Sequence, residues 1–373
     1  MRSYRLGHRL LSVLLEILVL VAATAGVLSL IRTGLAGVFS FSAFTTVVTL
    51  VLGCLLEYVL HQLGHLLGGK LTGLSLISFC GLSSDRVMEQ GKLRNRETLP
   101  ELELCPVLMT GPEGKVSALY WLCGGLMNLL TAFLALVLLK LRLFEGSPIE
   151  SFLLALCLSG VWGAIESLLP WVKSSRPTDV SLWISMKGSD GEKSAGSVLM
   201  SYLYQLSIGA EPSLDPELTS ELIQRSQEEA AALKENEAPA MLEEHLMYRA
   251  YEALIWQGRI REASDLMAIL YASRDVVPDG FSSVVTSEAV FCLSLLDQED
   301  AKEAVRQLMS DKLVAEMEKK DSEVSARALY AFASHVDSSH HKQEEYRVSA
   351  RERLLLVPFT GVRNAWLEIL QNG

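Results

Sequence analysis

The distribution of apolar and polar residues divides the chain into two unlike parts. Four long apolar runs lie within the first 200 residues, and each contains at most one charged side chain. They are Leu10–Ile31, Thr33–Leu56, Val116–Leu139 and Ser151–Val172. Because about 20 apolar residues span the hydrocarbon core of a bilayer, each run predicts a transmembrane helix. The flanking basic residues predict cytoplasmic chain termini, with Lys140 and Arg142 as exceptions to this topology.

The first apolar run has a second interpretation. Ala23-Thr24-Ala25 has the small-x-small form of a signal-peptide cleavage site, and basic residues precede the run. Two features favour an uncleaved helix instead: Glu16 interrupts the run, and apolar residues continue to Ile31. The topology of the later helices is the same in both cases.

Beyond residue 200 the apolar positions follow a helical period between polar turns. The pattern predicts helices over Met241–Trp256, Arg261–Tyr271, Val284–Leu296, Ala301–Met317, Val324–Val336 and Glu344–Leu356. Three helical hairpins of about 40 residues each indicate a small α-solenoid similar to tetratricopeptide repeats. An irregular helical bundle that packs only on itself is the alternative.

The sequence therefore predicts an all-α membrane protein with a helical appendage in the cytosol. An N-terminal transmembrane helix is expected within residues 1–35, and a membrane core over 36–187. Residues 188–200 contain three glycines and predict a linker, and residues 201–373 form the helical-hairpin domain.

Composition and charge support this division and exclude several classes of protein. The mean hydropathy of the whole chain is +0.27. Residues 1–200 carry 16 basic and 14 acidic side chains, a net +2, and the remaining 17 and 30 give −13. The overall charge of −11 disfavours a nucleic-acid partner. Six cysteines in 373 residues, without a C-x-x-C pair, exclude a small disulfide scaffold.

Two histidines carry the strongest chemical signal in the sequence. His61 and His65 are four residues apart, so on a helix their imidazoles lie on one face, the spacing at which two histidines share a zinc ion. On spacing alone, metal binding and a simple hydrogen-bonded pair remain comparable. Ionisable groups at membrane depth are costly, however, and usually have a function.

Three ordered motifs resemble the site-2 protease family of intramembrane zinc metalloproteases. Segment 61–65 reads HQLGH, where the family has His-Glu-x-x-His near the cytoplasmic end of a core helix. Segment 124–128 reads GGLMN and is similar to the Gly-rich turn and Asn that open the family's next core helix. Segment 167–170 reads SLLP and is followed by Asp179, as in the third family element. The family usually has Asn where Ser167 stands and Gly where Val180 stands.

The resemblance implies a function and a set of roles. His61, His65 and Asp179 would supply three zinc ligands and leave one position open for water. Asn128 would orient substrate or hydrogen-bond an intermediate, and a plain polar contact between helices is an equal alternative. The implied activity is cleavage of membrane-embedded or membrane-proximal segments of a protein or peptide in the lipid bilayer of the bacterial cytoplasmic membrane. Separately, the helical-hairpin domain predicts a cytosolic protein as a further partner.

Position 62 departs from the family pattern. The family has Glu there, which accepts a proton from the zinc-bound water, whereas a carboxamide such as that of Gln62 has no accessible proton equilibrium. Loss of a general base costs roughly 10²–10⁴-fold in rate. The chain is then a pseudoprotease, a substrate-trapping variant, or an enzyme that uses another carboxylate, Glu57 or Glu166. A non-enzymatic membrane scaffold with an α-helical adaptor is the remaining hypothesis.

Overall fold

A computed structural model describes residues 43–372 apart from short gaps. The gaps are 80–85, 90–91, 96–106, 115–116, 146, 171, 174–175, 187–193, 210–214, 234–238, 275–278, 321, 338–341 and 358. The predicted transmembrane helix over Leu10–Ile31 lies outside the described residues. The described chain is mostly helical, in line with the predicted fold class.

Contacts between Cα atoms divide the chain into two compact units. The first contains the described residues up to Ser75 together with Val116–Ser185. The second contains Leu76–Lys115 and Met186–Gly373. The chain therefore enters the second unit twice, and the predicted membrane core over 36–187 includes residues of both units.

The described part of the first unit is built from three long helices and one short one. They are α1 (Ala43–Leu71), α2 (Ala118–Lys140), α3 (Pro148–Leu168) and α4 (Asp179–Ser185). A two-stranded antiparallel ladder, β5 (Val172–Lys173) with β6 (Arg176–Pro177), joins α3 to α4. Among the described residues, Val51–Leu71, Ala118–Lys140 and Pro148–Leu168 are long and apolar enough to cross a membrane.

Two predicted helix ends differ from the structure. Helix α1 continues for 15 residues beyond the predicted end at Leu56, so both histidines lie within a candidate span. Helix α3 ends at Leu168 and not at Val172, because Leu169 precedes a proline and adopts an extended conformation with ψ of 135°.

Close contacts fix the relative direction of α1 and α2 and place α3 against them. A Cβ at Gly64 would lie 3.0 Å from Cβ of Met127, and a Cβ at Gly68 would lie 2.8 Å from Cβ of Cys123. As the position on α1 advances from Gly64 to Gly68, its neighbour on α2 goes back from Met127 to Cys123, so the two helices are antiparallel. Helix α3 also packs on both, with a Cβ at Gly53 placed 3.0 Å from Cβ of Ala155.

The bundle has small and polar side chains inside and large apolar side chains outside. Glu57, His65 and Asn128 are buried between the helices, together with several glycines and alanines. Leu52, Leu130 and other leucines, valines and phenylalanines on the same helices are exposed. This arrangement suits a lipid surround, in which apolar side chains gain nothing from burial and close backbone packing depends on small residues.

The second unit contains a small sheet that the sequence did not predict. Its strands are β1 (Ser75–Phe79), β2 (Arg86–Glu89), β3 (Lys92–Asn95) and β4 (Val107–Thr110), in the order β3-β2-β1-β4. Strands β1 and β2 are antiparallel with Ser78 opposite Val87, and β2 and β3 are antiparallel with Val87 opposite Arg94.

The remaining described residues of the second unit are mainly helical. The helices are α5 (Ala195–Ser207), α6 (Pro216–Ala232), α7 (Met241–Trp256), α8 (Ile260–Ala272), α9 (Asp279–Ser294), α10 (Glu299–Leu308), α11 (Asp311–Lys320), α12 (Glu323–Ala331), α13 (Gln343–Leu354) and α14 (Thr360–Asn372). A π-helical turn, Phe332–Val336, extends α12.

Several of these helices differ from the predicted ones. Helix α7 has the predicted bounds, and α5 begins inside the predicted linker. The single helix expected over Ala301–Met317 is two helices. The break falls at Ser310. Its hydroxyl accepts a hydrogen bond from the backbone N–H of Leu313 and so caps the N-terminus of α11.

Buried charges lie at the centre of the helical part of this unit. The guanidinium of Arg327 donates to Glu288 at 2.6 Å and to Glu323, and it lies 3.6 Å from the centroid of the Trp366 ring. Arg249 and Glu252 form a second buried pair at 2.5 Å. Burial raises the pKa of Glu252 to about 7, in spite of the lowering effect of Arg249.

Candidate metal centre

Two glycines on α1 bring the histidines close to α2. A Cβ at Gly64 would lie 2.9 Å from the carbonyl carbon of Cys123, and one at Gly68 would lie 2.7 Å from the carbonyl oxygen of Leu119. Neither contact leaves room for a larger side chain. The spacing of four residues is the small-x-x-x-small pattern that lets two membrane helices approach backbone to backbone.

The structure brings His61, His65 and Asp179 together. Nε2 of His65 lies 3.1 Å from Nε2 of His61. Oδ2 of Asp179 lies 3.4 Å from Nε2 of His61 and 3.3 Å from Nε2 of His65. His65 is fully buried, whereas His61 and Asp179 remain partly accessible. The three residues predicted as metal ligands therefore form one cluster.

A backbone carbonyl orients the ring of His65. Nδ1 of His65 lies 2.8 Å from the carbonyl oxygen of Tyr120, which can only accept, so Nδ1 carries the proton. In the neutral ring Nε2 then has a free lone pair directed at the other two residues. This is the arrangement in which a histidine binds a metal through one nitrogen while the other donates to an outer partner.

The carboxylate of Asp179 has its own support. Asp179 is the first residue of α4, and Thr178 caps this helix by accepting from the backbone N–H of Ser181 at 3.2 Å. The hydroxyl of Ser167, near the end of α3, donates to Oδ2 of Asp179. Burial alone would raise the pKa of Asp179, but the interactions of its carboxylate with the imidazoles of His61 and His65 outweigh burial and hold this pKa below its usual range.

The donor set fits a tetrahedral metal ion. Nitrogen and oxygen ligands lie about 2.0–2.2 Å from zinc, so two ligand atoms at a tetrahedral angle are about 3.3 Å apart. The three observed separations are 3.1, 3.3 and 3.4 Å. Two imidazole nitrogens and one carboxylate oxygen are also common zinc ligands. All three candidate ligand atoms lie within 4.8 Å of one another.

The other two predicted site residues lie beside this cluster. Gln62 follows His61 on α1, and its side-chain oxygen is buried without a hydrogen-bond donor among the described residues. Asn128 is buried one helical turn beyond Gly124 on α2, with its amide nitrogen against Gly163 of α3. Its side-chain oxygen likewise has no donor within the described part of the chain.

Two supporting groups were not predicted from the sequence, the Tyr120 carbonyl and the Ser167 hydroxyl. Gly124, which belongs to the motif over 124–128, leaves room for both imidazoles: a Cβ there would lie 2.9 Å from Nε2 of His61 and would also overlap His65. In the sequence, Ser167 stands out only as a departure from the family pattern. A backbone carbonyl leaves no signal in a sequence, so no pattern could have identified the first of these groups.

Comparisons with known proteins identify no relative of the chain from which a role of this site could be inferred. No protein-family model matches the chain, and no curated protein or solved structure is significantly similar to it.

Proposed function

We propose that this chain is a membrane-embedded zinc protein of the site-2 protease type, whose site acts on peptide segments within or next to the bilayer. The observation that carries the proposal is the convergence of Nε2 of His61, Nε2 of His65 and Oδ2 of Asp179 at separations that suit one tetrahedral ion. The bacterial cytoplasmic membrane, with cytoplasmic chain termini, is the proposed location.

The chain's own residues define how such a site works. His61, His65 and Asp179 hold the ion, the Tyr120 carbonyl fixes the ring of His65, and Ser167 holds the carboxylate. Zinc, when bound, lowers the pKa of a bound water and polarises a carbonyl group. The Asn128 amide offers hydrogen bonds to a peptide segment.

Gln62 limits the rate of hydrolysis. Its carboxamide can hold a water molecule by hydrogen bonding but cannot take its proton, so peptide cleavage is expected to be slower by roughly 10²–10⁴-fold than with a carboxylate. The site therefore binds membrane segments more readily than it cuts them.

Metal analysis of the purified protein tests the proposal. We expect one zinc ion per chain after dialysis against trace zinc, and none in the His61→Ala variant. The matched control is His335→Ala, because His335 lies in the π-helical turn of the second unit, outside the cluster. A parent protein that folds and contains no zinc, and takes up none on titration, would refute the metal site.

The effect of position 62 needs a separate comparison. We expect Gln62→Glu to increase cleavage of an apolar membrane peptide by at least 10²-fold while zinc content stays the same. Full zinc occupancy without any gain in cleavage would favour a pseudoprotease that only binds.

A non-catalytic scaffold is the second candidate. It is supported by the α7–α8 hairpin, in which Gly258 takes the left-handed turn conformation with φ of 71° and Tyr251 and Ala263 are fully buried, as in a tetratricopeptide-like repeat. In this alternative the helical unit binds a cytosolic protein and the histidines have no metal, so the zinc measurement separates the two candidates.

A further inference from the structure

A buried carboxyl group lies on the ligand-bearing helix, deeper in the bundle than the histidines. Glu57 precedes His61 by four residues, which is one helical turn or about 6 Å along the axis of α1. Only 4% of its surface is exposed, and it lies within the candidate span Val51–Leu71. Neither side-chain oxygen receives a hydrogen bond from any described residue.

The carboxyl occupies a notch formed by Gly160 of α3. A Cβ at residue 160 would overlap Oε1 of Glu57 and would lie 2.8 Å from the backbone carbonyl oxygen of Asn128. Two oxygen atoms that both accept hydrogen bonds thus border the same notch. A negative charge on Glu57 is unfavourable beside the carbonyl oxygen, whereas a protonated carboxyl gains a donor.

No cation within the described bundle compensates a negative charge at this position. The described parts of α1, α2 and α3 contain two basic side chains other than histidine, Lys70 and Lys140, and both lie in the last turn of their helices. The groups that face the carboxyl are the Thr131 hydroxyl of α2 and the Cys157 thiol of α3. Thr131 donates instead to the carbonyl of Met127, at 2.8 Å.

We propose that Glu57 is a proton-binding site within the membrane, a neutral carboxylic acid whose proton is coupled to the metal centre one turn away. An isolated ionised carboxylate in an apolar interior is so costly that the group takes up a proton instead. A dipositive ion bound by His61 favours the ionised form, so metal binding and loss of this proton assist each other. The coupling rests on the proposed function, whereas the proton site itself does not.

A hydrophobic carbodiimide tests the protonation of Glu57 directly. The acid proton moves to one carbodiimide nitrogen and the carboxylate oxygen bonds to the central carbon, so the reagent adds only to a protonated carboxyl. Using dicyclohexylcarbodiimide on the full chain in detergent at neutral pH, we expect mass spectrometry to find the adduct at Glu57 and not at Glu145, which is exposed beyond the end of α2. Glu57→Gln should lose the adduct and keep the helical circular dichroism and the elution volume of the parent.

The same reaction distinguishes a proton from a metal cation as the occupant of the notch. Labelling that is unaffected by sodium ions supports a bound proton. Labelling that sodium suppresses, or an absence of labelling at Glu57 in the folded protein, would overturn the proposal.

Zinc alone serves as the probe for the coupling. Saturating zinc should reduce the labelling rate of Glu57 by roughly tenfold or more, since a dipositive charge lies close by in a medium of low dielectric constant. His61→Ala should keep the metal-free labelling and lose the zinc effect. Zinc that binds without changing the labelling would overturn the coupling. Labelling in a protein that binds no zinc would leave the proton site standing and refute both the coupling and the proposed function.

Discussion

The space at Gly124 gives the most direct test of the metal centre. Gly124→Ala would place a methyl group 2.9 Å from Nε2 of His61, 2.7 Å from Cε1 of the same ring, and against Nε2 of His65. The helix backbones are already in contact at Gly64, so the imidazoles and not the helices must move. Overpacking of this kind costs about 1–3 kcal/mol. If this strain falls on the ligand geometry, zinc affinity decreases by roughly 5-fold to 150-fold.

Competition with a chelating dye measures this change in the detergent-solubilised protein. Gly53→Ala is the matched control, because its methyl would lie 3.0 Å from Cβ of Ala155 and it precedes His61 by about 12 Å along the helix. The control should lower thermal stability and leave zinc affinity unchanged. Unchanged zinc affinity in a folded Gly124→Ala protein, or an equal loss in both variants, would refute the reasoning.

Three further predictions concern the carboxylate support and the buried charges. Ser167→Ala removes the hydroxyl that holds Asp179, and zinc affinity in dye competition should decrease by about 10-fold to 100-fold. Arg327→Met leaves buried carboxylates unpaired and should lower the free energy of unfolding by about 3–5 kcal/mol in denaturant titration, whereas the exposed Arg306→Met should have little effect. The pKa of Glu252 is raised to about 7 in the folded protein, so the unfolded chain loses this proton at a lower pH than the folded protein does. The free energy of unfolding should therefore fall as pH rises from about 4.3 towards 7. Thermal unfolding across this pH range should show a smaller fall in Glu252→Gln, and an equal fall in both proteins would contradict the assignment.

The three candidate membrane helices among the described residues were predictable in existence and type but not in extent. Apolar runs of more than 20 residues identify α1, α2 and α3 because length and composition suffice for that inference. The end of α1 was misplaced because Glu57, His61 and Gln62 interrupt the hydropathy while the helix continues. These polar side chains turn into the bundle, and a hydropathy sum cannot distinguish inward polar residues from the end of a span.

The sheet and part of the candidate metal centre depend on contacts between residues that are far apart in the sequence. Strands of four or five residues such as β2 and β3 carry charged side chains and little alternation, so their pairing is the main evidence for them. Helical spacing paired His61 with His65. Asp179 follows 114 residues after His65 and entered only through a family resemblance, which the comparisons neither support nor contradict. The carbonyl of Tyr120 becomes a partner of His65 only through tertiary packing.

The double entry of the chain into the second unit has a consequence for dissection of the protein. A cut between residues 187 and 193 would leave residues 76–115 attached to the membrane helices. Helix α5 would lie on the other fragment, although it contacts β2, β4 and the 3-10 turn Pro112–Gly114. The two fragments would therefore share one folded unit and remain associated after cleavage. Co-expression as separate polypeptides should reconstitute the protein, whereas a shortened chain ending near residue 187 would expose the apolar face of a sheet deprived of its covering helix.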